Sequence, residues 1–425
     1  MLYDVRNHGV IGDGVTNNTE AINRLLKSVG DMGGTIYFPS GSYVTGSIFL
    51  HSNTTIYLEA GAVLLGSDCY EDYPLITQED APGYTRGGHC GLISAFGCEN
   101  IAVHGRGIID GRGFYWWNKV KSDLKRPRTI NPILCTNVSI KDVTIINSPC
   151  WTLHPMCCNN VTIEGVTIKN PYDSPNTDGI NPESCQNVRI SNCHIDVGDD
   201  CVTIKSGTED DLLQKKYACE NITITNCTMA HGHGGVVIGS EMSGGVKNVV
   251  INNCIFQNTD RGIRLKTRRK RGGIVEDVVI SNIVMEHVQA AITINEYYIC
   301  GADVNDIEIF DLEKREINAL TPRISNINIS NIIGKDIIGV GIYMYGLPEL
   351  PISDIVMNNI DLSVTGSEEG IDAVMAPGRE RSMGEGIFLE NVENLEMNTV
   401  HIKCQNEKYK ILKCKDISCN NIKLA

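Results

Sequence analysis

Residues 194–207, HIDVGDDCVTIKSG, set two carboxylates, Asp199 and Asp200, against the apolar run Cys201-Val202-Thr203-Ile204. Neighbours on a strand point to opposite faces, so an unbroken strand would bury one of the two acids. An unpartnered buried charge is costly. Three further short motifs carry reactive groups: NTDG at 176–179 with Asp178, GHGG at 232–235 with His233, and RLK at 264–266 with Arg264 and Lys266. Paired carboxylates are the equipment of glycosidic-bond hydrolysis: one, protonated, donates to the leaving oxygen, and the other activates water or attacks. Crowded acids do not all ionise easily, which spreads their pKa values and separates their roles. Arg264 and Lys266, two apart on one strand, face one way and suit a substrate carboxylate. Alone, each motif has a plain reading: a DD is a turn, a Gly-His-Gly a loop, an Arg-x-Lys a solvent face. Three carboxylates would also suit a calcium cage. Arg264, Lys266 and His233 would repel a cation, so neither a metal site nor a cofactor is expected.

These motifs lie far apart in the chain, and a repeat is what would gather them. CENIAVHGRGIID from 98, CTNVSIKDVTIIN from 135, CNNVTIEGVTIKN from 158, CQNVRISNCHIDV from 185 and CENITITNCTMAH from 219 share one pattern. An Asn or Asp precedes an alternating β-branched run, a polar break and a second alternating run, and the pattern continues to ISDIVMNNIDLSV from 352. Asn137, Asn160, Asn187, Asn221 and Asn248 stand 23, 27, 34 and 27 residues apart, the period range of a solenoid with loops of varied length. A propeller blade needs a longer period. The expected class is all-β, a single-domain solenoid over 1–425 with stacked Asn ladders. TNNTEAINRLLKSVG predicts an N-terminal capping helix, with Asn18 or Thr19 as N-cap and Gly30 as its end.

Aligned on their apolar pairs, Val202 and Ile204 match Val236 and Ile238, then Ile263 and Leu265, then Ile292 and Ile294, while Ile180 matches Val202 one coil earlier. This places Asp200 with Asp178, Asp199 beside His233, Arg264 in the column of Thr203, and Lys266 in that of Lys205. Asp200 shares strand parity with buried Val202 and Ile204, so a bend at Gly198 with strained geometry is expected.

The chain carries 51 acidic and 37 basic residues, a formal charge of −14, which argues against broad nucleic-acid binding. The N-terminus has neither a basic n-region nor an apolar h-region, and no apolar run reaches transmembrane length. The 17 cysteines lack zinc-like spacing and read as buried reduced thiols. The expected compartment is cytoplasmic, or secreted or periplasmic had a signal been removed, and no membrane partner is expected.

At its four motifs the sequence resembles glycoside hydrolase family 28, the polygalacturonase family, whose signatures are NTD, G-D-D, G-H-G and R-I-K in that order. Leu265 for Ile is the one departure. The resemblance runs from GDGVTNNTEAI to the later coils. It implies a right-handed parallel β-helix and inverting, single-displacement hydrolysis of a galacturonate-containing oligo- or polysaccharide. Asp199 would be the general acid, Asp178 and Asp200 would activate the water, and His233 would support the acid. Arg264 and Lys266 would bind a galacturonate carboxylate, and Tyr297 in INEYYIC matches the family's tyrosine. Acid and base would then stand roughly 6.5–9.5 Å apart.

GHGGVVIGSEMSGG and NPESC resemble the exo-acting branch, with insertions at 207–218 and 300–323 to block one end of the cleft. The run RLKTRRKRGG either attracts an anionic oligosaccharide or forms a solvated loop. His154 in WTLHP, one coil before Asp178, either reaches the substrate or packs. The alternatives are a rhamnogalacturonan-directed hydrolase of the same family, a lyase that needs calcium or a base for a C5 proton, and a non-catalytic glycan-binding solenoid. The last has no use for clustered carboxylates in distinct environments.

Overall fold

The computed structural model describes residues 1–118 and 125–425. Its alternating segments form strands, each paired in parallel with the equivalent segment of the next coil, and the all-β parallel β-helix class holds. Two compact units are distinguished: Met1–Asp199 with Asp211–Gln214, and Asp200–Asp210 with Lys215–Ala425.

In the first unit, β1 (Thr136–Lys141), β2 (Asn159–Glu164) and β3 (Gln186–Ser191) stack in register, Val138 on Val161 on Val188 and Ile140 on Ile163 on Ile190. All six are buried. The alternation dictates this: β-branched residues fill the inner face of the pleat while Thr, Ser and Arg point outward. The helix α1 (Thr19–Val29) buries Ile22, Leu25, Leu26 and Val29, an i, i+3, i+4, i+7 stripe. Its N-cap position is Asn18, but that side chain makes no cap bond. Its amide instead donates to Ile11 O, Thr16 O and Val44 O and accepts from Ile11 N, tying the helix start to the strands. Asn17 is the residue whose Oδ1 accepts from Thr19 N, at 3.0 Å.

In the second unit, β4 (Val202–Ile204), β5 (Val236–Gly239), β6 (Arg261–Lys266), β7 (Ala290–Asn295), β8 (Val340–Tyr345) and β9 (Glu385–Glu390) form one parallel sheet. The register is the one the alignment gave: Val202–Val236–Ile263–Ile292 and Ile204–Ile238–Leu265–Ile294, continued by Ile342 and Met344. The polar breaks differ from expectation in the later coils. Val246–Gln257 and Ile274–Glu286 run through them as single strands.

The repeated Asn solves the corner of each coil. Asn100, Asn137 and Asn160 have φ of 56°, 58° and 58°, the left-handed region that a side chain able to bond locally tolerates best. Their amides form a ladder: Asn100 donates to Asn53 at 2.8 Å, Asn137 to Asn100 at 2.8 Å and Asn160 to Asn137 at 2.6 Å. Arg189 ends it by donating to Asn160 Oδ1. The second unit has its own ladder, Asn253–Asn282–Asn331–Asn359. All 17 cysteines are free thiols and nine are buried. Hydrogen bonding to Cys158, with burial, raises the Cys135 thiol, and burial raises that of Cys158, which suppresses thiolate chemistry. Among the described residues no helix is long and apolar enough to cross a membrane.

Asn137→Ala removes two rungs and leaves a Cβ residue in the left-handed region without local compensation. The expected loss is about 2 kcal/mol, and Asn137→Gly should recover part of it. Denaturant titration of both variants checks this; equal losses would show that backbone strain contributes nothing.

Candidate active site

In the first unit, NTDG and the approach to GDD lie on neighbouring coils. The chain bends at Gly198 and Asp199. A Cβ at Gly198 would lie 2.5 Å from Ser174 O and 2.6 Å from Pro171 O, so only glycine admits the loop that carries NTDG. The expected strain is not there: neither Asp199 nor Asp200 has a left-handed φ. Asp178 is buried, at 3 % exposure, and accepts from Asn181 Nδ2 at 2.9 Å. Asp199 is half-buried, with Asn176 Nδ2 at 3.5 Å from its Oδ2. Arg126 fixes Asn176 in turn, donating to its Oδ1 at 2.6 Å and to Pro149 O at 3.0 Å.

Oxygens of Asp178 and Asp199 lie within 4.8 Å of one another. That is closer than the span expected for an acid and base with water between them.

His154 is 1 % exposed. Its Nε2 donates to Glu183 Oε2 at 2.7 Å and its Nδ1 accepts from Asn131 Nδ2 at 3.2 Å. Burial pushes its pKa down to about 4, against the opposing bond to Glu183, so it is neutral near pH 7. Of the two readings, packing is the one the structure supports: His154 sits beneath Trp151, edge to face at 4.8 Å.

In the second unit, Asp200 is 1 % exposed. Lys266 Nζ donates to its Oδ2 at 2.7 Å and Arg264 Nη1 to its Oδ1 at 3.4 Å. Burial raises the carboxyl's pKa, but Lys266, Arg264 and Lys205 together outweigh it and hold Asp200 well below the usual carboxylate range. Arg264 and Lys266 are therefore not bare substrate ligands, because both are buried and bound to Asp200. The same cations would compete with a metal ion for its oxygens. Gly234 of GHGG makes room for this group. A Cβ there would lie 2.3 Å from Val237 Cγ2 and 3.3 Å from Asp200 Oδ1. The His233 side chain is half exposed, with Nε2 4.0 Å from Asp260.

Tyr297 is placed differently from expectation. It lies in an apolar cluster with Tyr343, Tyr345 and Leu347, stacked on Tyr345 at 4.2 Å, and its hydroxyl has no partner. The next residue, Tyr298, lies on the cation pair, with Arg264 at 5.4 Å and Lys266 at 5.1 Å from its ring. The two tyrosines lie just past the end of β7 and meet different surroundings, and the motif alone did not choose between them. Met375 was also missed: its Sδ is 3.0 Å from Arg264 Nη2, and nothing in the local sequence signals it.

The basic run after RLK is neither a solvated loop nor a free cationic patch. Arg268, Arg269 and Arg271 are 4–5 % exposed. Arg268 and Arg271 hold Glu209, and Arg268 also donates to Gly301 O at 3.2 Å. Arg269 chelates Glu349 at 2.6 and 2.8 Å and donates to Ile309 O, Asp311 O and Glu313 O. Lys270 pairs with Asp306 and Glu308. The run is a clamp on the 300–323 insertion.

A family model described as Glycosyl hydrolases family 28 matches residues 77–377, and one described as Rhamnogalacturonase A/epimerase, pectate lyase-like matches 2–76. A Vitis vinifera protein named "Probable polygalacturonase" is 32% identical over 370 residues, 83% of this chain and 72% of that protein. Among solved structures, a hyperthermoactive exopolygalacturonase from Thermotoga maritima is similar with a TM-score of 0.78 and 28% identity, over 95% of this chain and 91% of that one. A polygalacturonase from Erwinia carotovora ssp. carotovora has a TM-score of 0.70 at 25% identity, over 91% of this chain and 95% of that one.

Beside Tyr297 stands a carboxyl whose environment makes a pH-dependent prediction. Glu296 is fully buried. Its Oε2 accepts from Leu347 N at 2.9 Å, and among the described residues its Oε1 has no hydrogen-bond partner. Burial pushes its pKa up to about 8, above the ordinary 4.5. The folded state therefore keeps a proton that the unfolded chain releases, and stability falls as pH rises from about 4.5 to about 8. Glu296→Gln removes that loss, so the variant should gain on wild type between about pH 5 and about pH 8 in denaturant titrations. A difference independent of pH would contradict the buried, protonated state.

Proposed function

This chain belongs to family 28 of the glycosyl hydrolases, and on that footing we propose that it is a polygalacturonase that releases galacturonate from non-reducing ends by inverting hydrolysis. The observation that carries the hydrolase part of the reading is the Asp178–Asp199 carboxyl pair, oxygens within 4.8 Å, at the family's NTD and GDD motifs; inversion rests on the family resemblance alone, because the pair is closer than the inverting span. In this reading the Asp199 carboxyl gives its proton to the glycosidic oxygen as the C1–O bond breaks. Asp178 takes a proton from the water whose oxygen bonds to C1. Asp200, kept as the anion by Lys266 and Arg264, is the weaker proton acceptor and orients that water. His233 supports the acid. The family resemblance assigns the same two cations to a galacturonate carboxylate, and the ring lying over both of them is Tyr298, in the place first assigned to Tyr297. The proton donor and acceptor end each turnover exchanged in charge and are reset by solvent.

Two features support exo action. The clamp of Arg269 and Lys270 gives the 300–323 segment a fixed seat next to β6 and β7, where it can end a cleft. The Thermotoga maritima relative is named an exopolygalacturonase. The coil pattern continues in sequence through residues 199 and 200 with no linker-like stretch, which supports one pectinase-type domain over 1–425. A second reading, a rhamnogalacturonan-directed hydrolase, is favoured by one observation, the family match of residues 2–76.

Digestion of oligogalacturonides and of rhamnogalacturonan-backbone oligomers, with chelator present, separates these readings. Saturated monogalacturonate appearing first, with the anomeric configuration inverted by NMR, is the expected result. A mixed ladder of sizes rules out exo action, a retained anomer rules out inversion, and ultraviolet-absorbing product rules out hydrolysis. Asp199→Asn should lower kcat by about a hundredfold to ten-thousandfold with substrate binding largely kept. Wild-type turnover in that variant would remove Asp199 from the acid role.

A further inference from the structure

One buried cation in the first unit is unlike the others. Arg128 is 8 % exposed, yet among the described residues its guanidinium makes no ion pair and no hydrogen bond, and its Nε is sealed from solvent without an acceptor. It lies over the Trp151 ring, whose centroid is 5.1 Å from Cζ, and its Nη1 lies against Gly88, 3.4 Å from where a Cβ there would sit. Arg86 also lies over that ring, at 5.6 Å, but Arg86 is neutralised by Glu183 at 2.8 Å and by Asp211. His154, below the indole, is neutral. A guanidinium taken out of water is unfavourable unless an anion replaces the lost hydration, and a cation–π contact returns only part of that.

The placement says where the anion would come from. Ile130 pairs with Leu153, and Leu153 with Ile180, so Arg128, Trp151 and Asp178 occupy one column on three successive coils. Thr152 N donates to Asp178 O at 2.9 Å, and Ile130 N to Thr152 O at 2.9 Å. Arg128 therefore stands two coil spacings, roughly 10 Å, from Asp178, with a half-buried indole between them. An indole offers an apolar platform to the C–H face of a pyranose ring, and a guanidinium fork matches a carboxylate.

We propose that Arg128 binds the carboxylate of a galacturonate residue lying over Trp151, on the side of the scissile bond that faces the coils before Asp178. The site rests on the galacturonan reading. It gives that side of the cleft a charge requirement independent of Arg264 and Lys266.

The test uses the full-length protein, wild type and Arg128→Gln, with digalacturonate and trigalacturonate and with the same oligomers reduced at their carboxyls. Arg128→Gln is expected to raise KM for the acidic oligomers by about tenfold to a hundredfold and to leave weak binding of the reduced ones unchanged. It should also keep or raise the unliganded Tm, since it removes an uncompensated charge, and should lose the Tm rise that digalacturonate gives wild type. Arg128→Lys, which keeps the charge without the fork, should fall between. A misfolded or strongly destabilised Arg128→Gln would make Arg128 a structural residue and overturn the proposal. So would an unchanged KM, or a ligand-induced Tm rise equal to wild type, with the galacturonan reading left standing. Wild type that is neither active on the acidic oligomers nor stabilised by them would remove both together.

Discussion

Everything in this protein depends on the register between one coil and the next. Parallel hydrogen bonding holds each strand residue against its counterpart on the neighbouring coil, at a spacing the backbone fixes. A position on one coil is thereby a column, and columns bring together residues that lie far apart in sequence. Apolar columns such as Val138–Val161–Val188 form the interior. Asn columns close the corners, where a left-handed backbone is needed at every turn and a ladder of amides compensates for it. Reactive side chains become neighbours by the same rule, which is why Arg264 and Lys266 can reach Asp200 over two coils.

Within that frame the charges are arranged by compensation. Asp200 is buried and ionised because two cations bond to it directly and Lys205 adds its field. Arg269 is buried because a carboxylate and three carbonyls surround it. Glu296 lacks such partners and answers by keeping its proton. Burial alone does not decide the state of a group here; the partner does, and each of these three groups shows a different solution to one desolvation cost.

Much of this was legible in the sequence because it is periodic. The alternation of Val and Ile, the Asn positions and the alignment of Val202 with Val236, Ile263 and Ile292 gave the fold and the register of the second unit's sheet. The motif residues followed from that register. What was not legible depends on partners that periodicity does not reach. The choice of Tyr298 over Tyr297 is set by which face of the strand end meets Arg264. The burial of His154 is set by Glu183, two positions along and one coil on. The basic run read as either a cationic patch or a solvated loop because its carboxylates, Glu209, Glu349, Asp306 and Asp311, lie far from it in sequence. The closeness of the Asp178 and Asp199 oxygens, within 4.8 Å, was not legible either, because it depends on the bend at Gly198 and Asp199.

The unequal coil lengths have a consequence of their own. Coils of 23, 27 and 34 residues carry their surplus at the corners, and the stacked strands do not shift to accommodate it. A loop can therefore be lengthened, shortened or re-anchored without moving any side chain on the sheet. In such a scaffold, selection can act on which polymer ends or branches are admitted while the bond-breaking groups stay where they are. Specificity and chemistry are inherited on separate parts of the chain, and either can drift without the other.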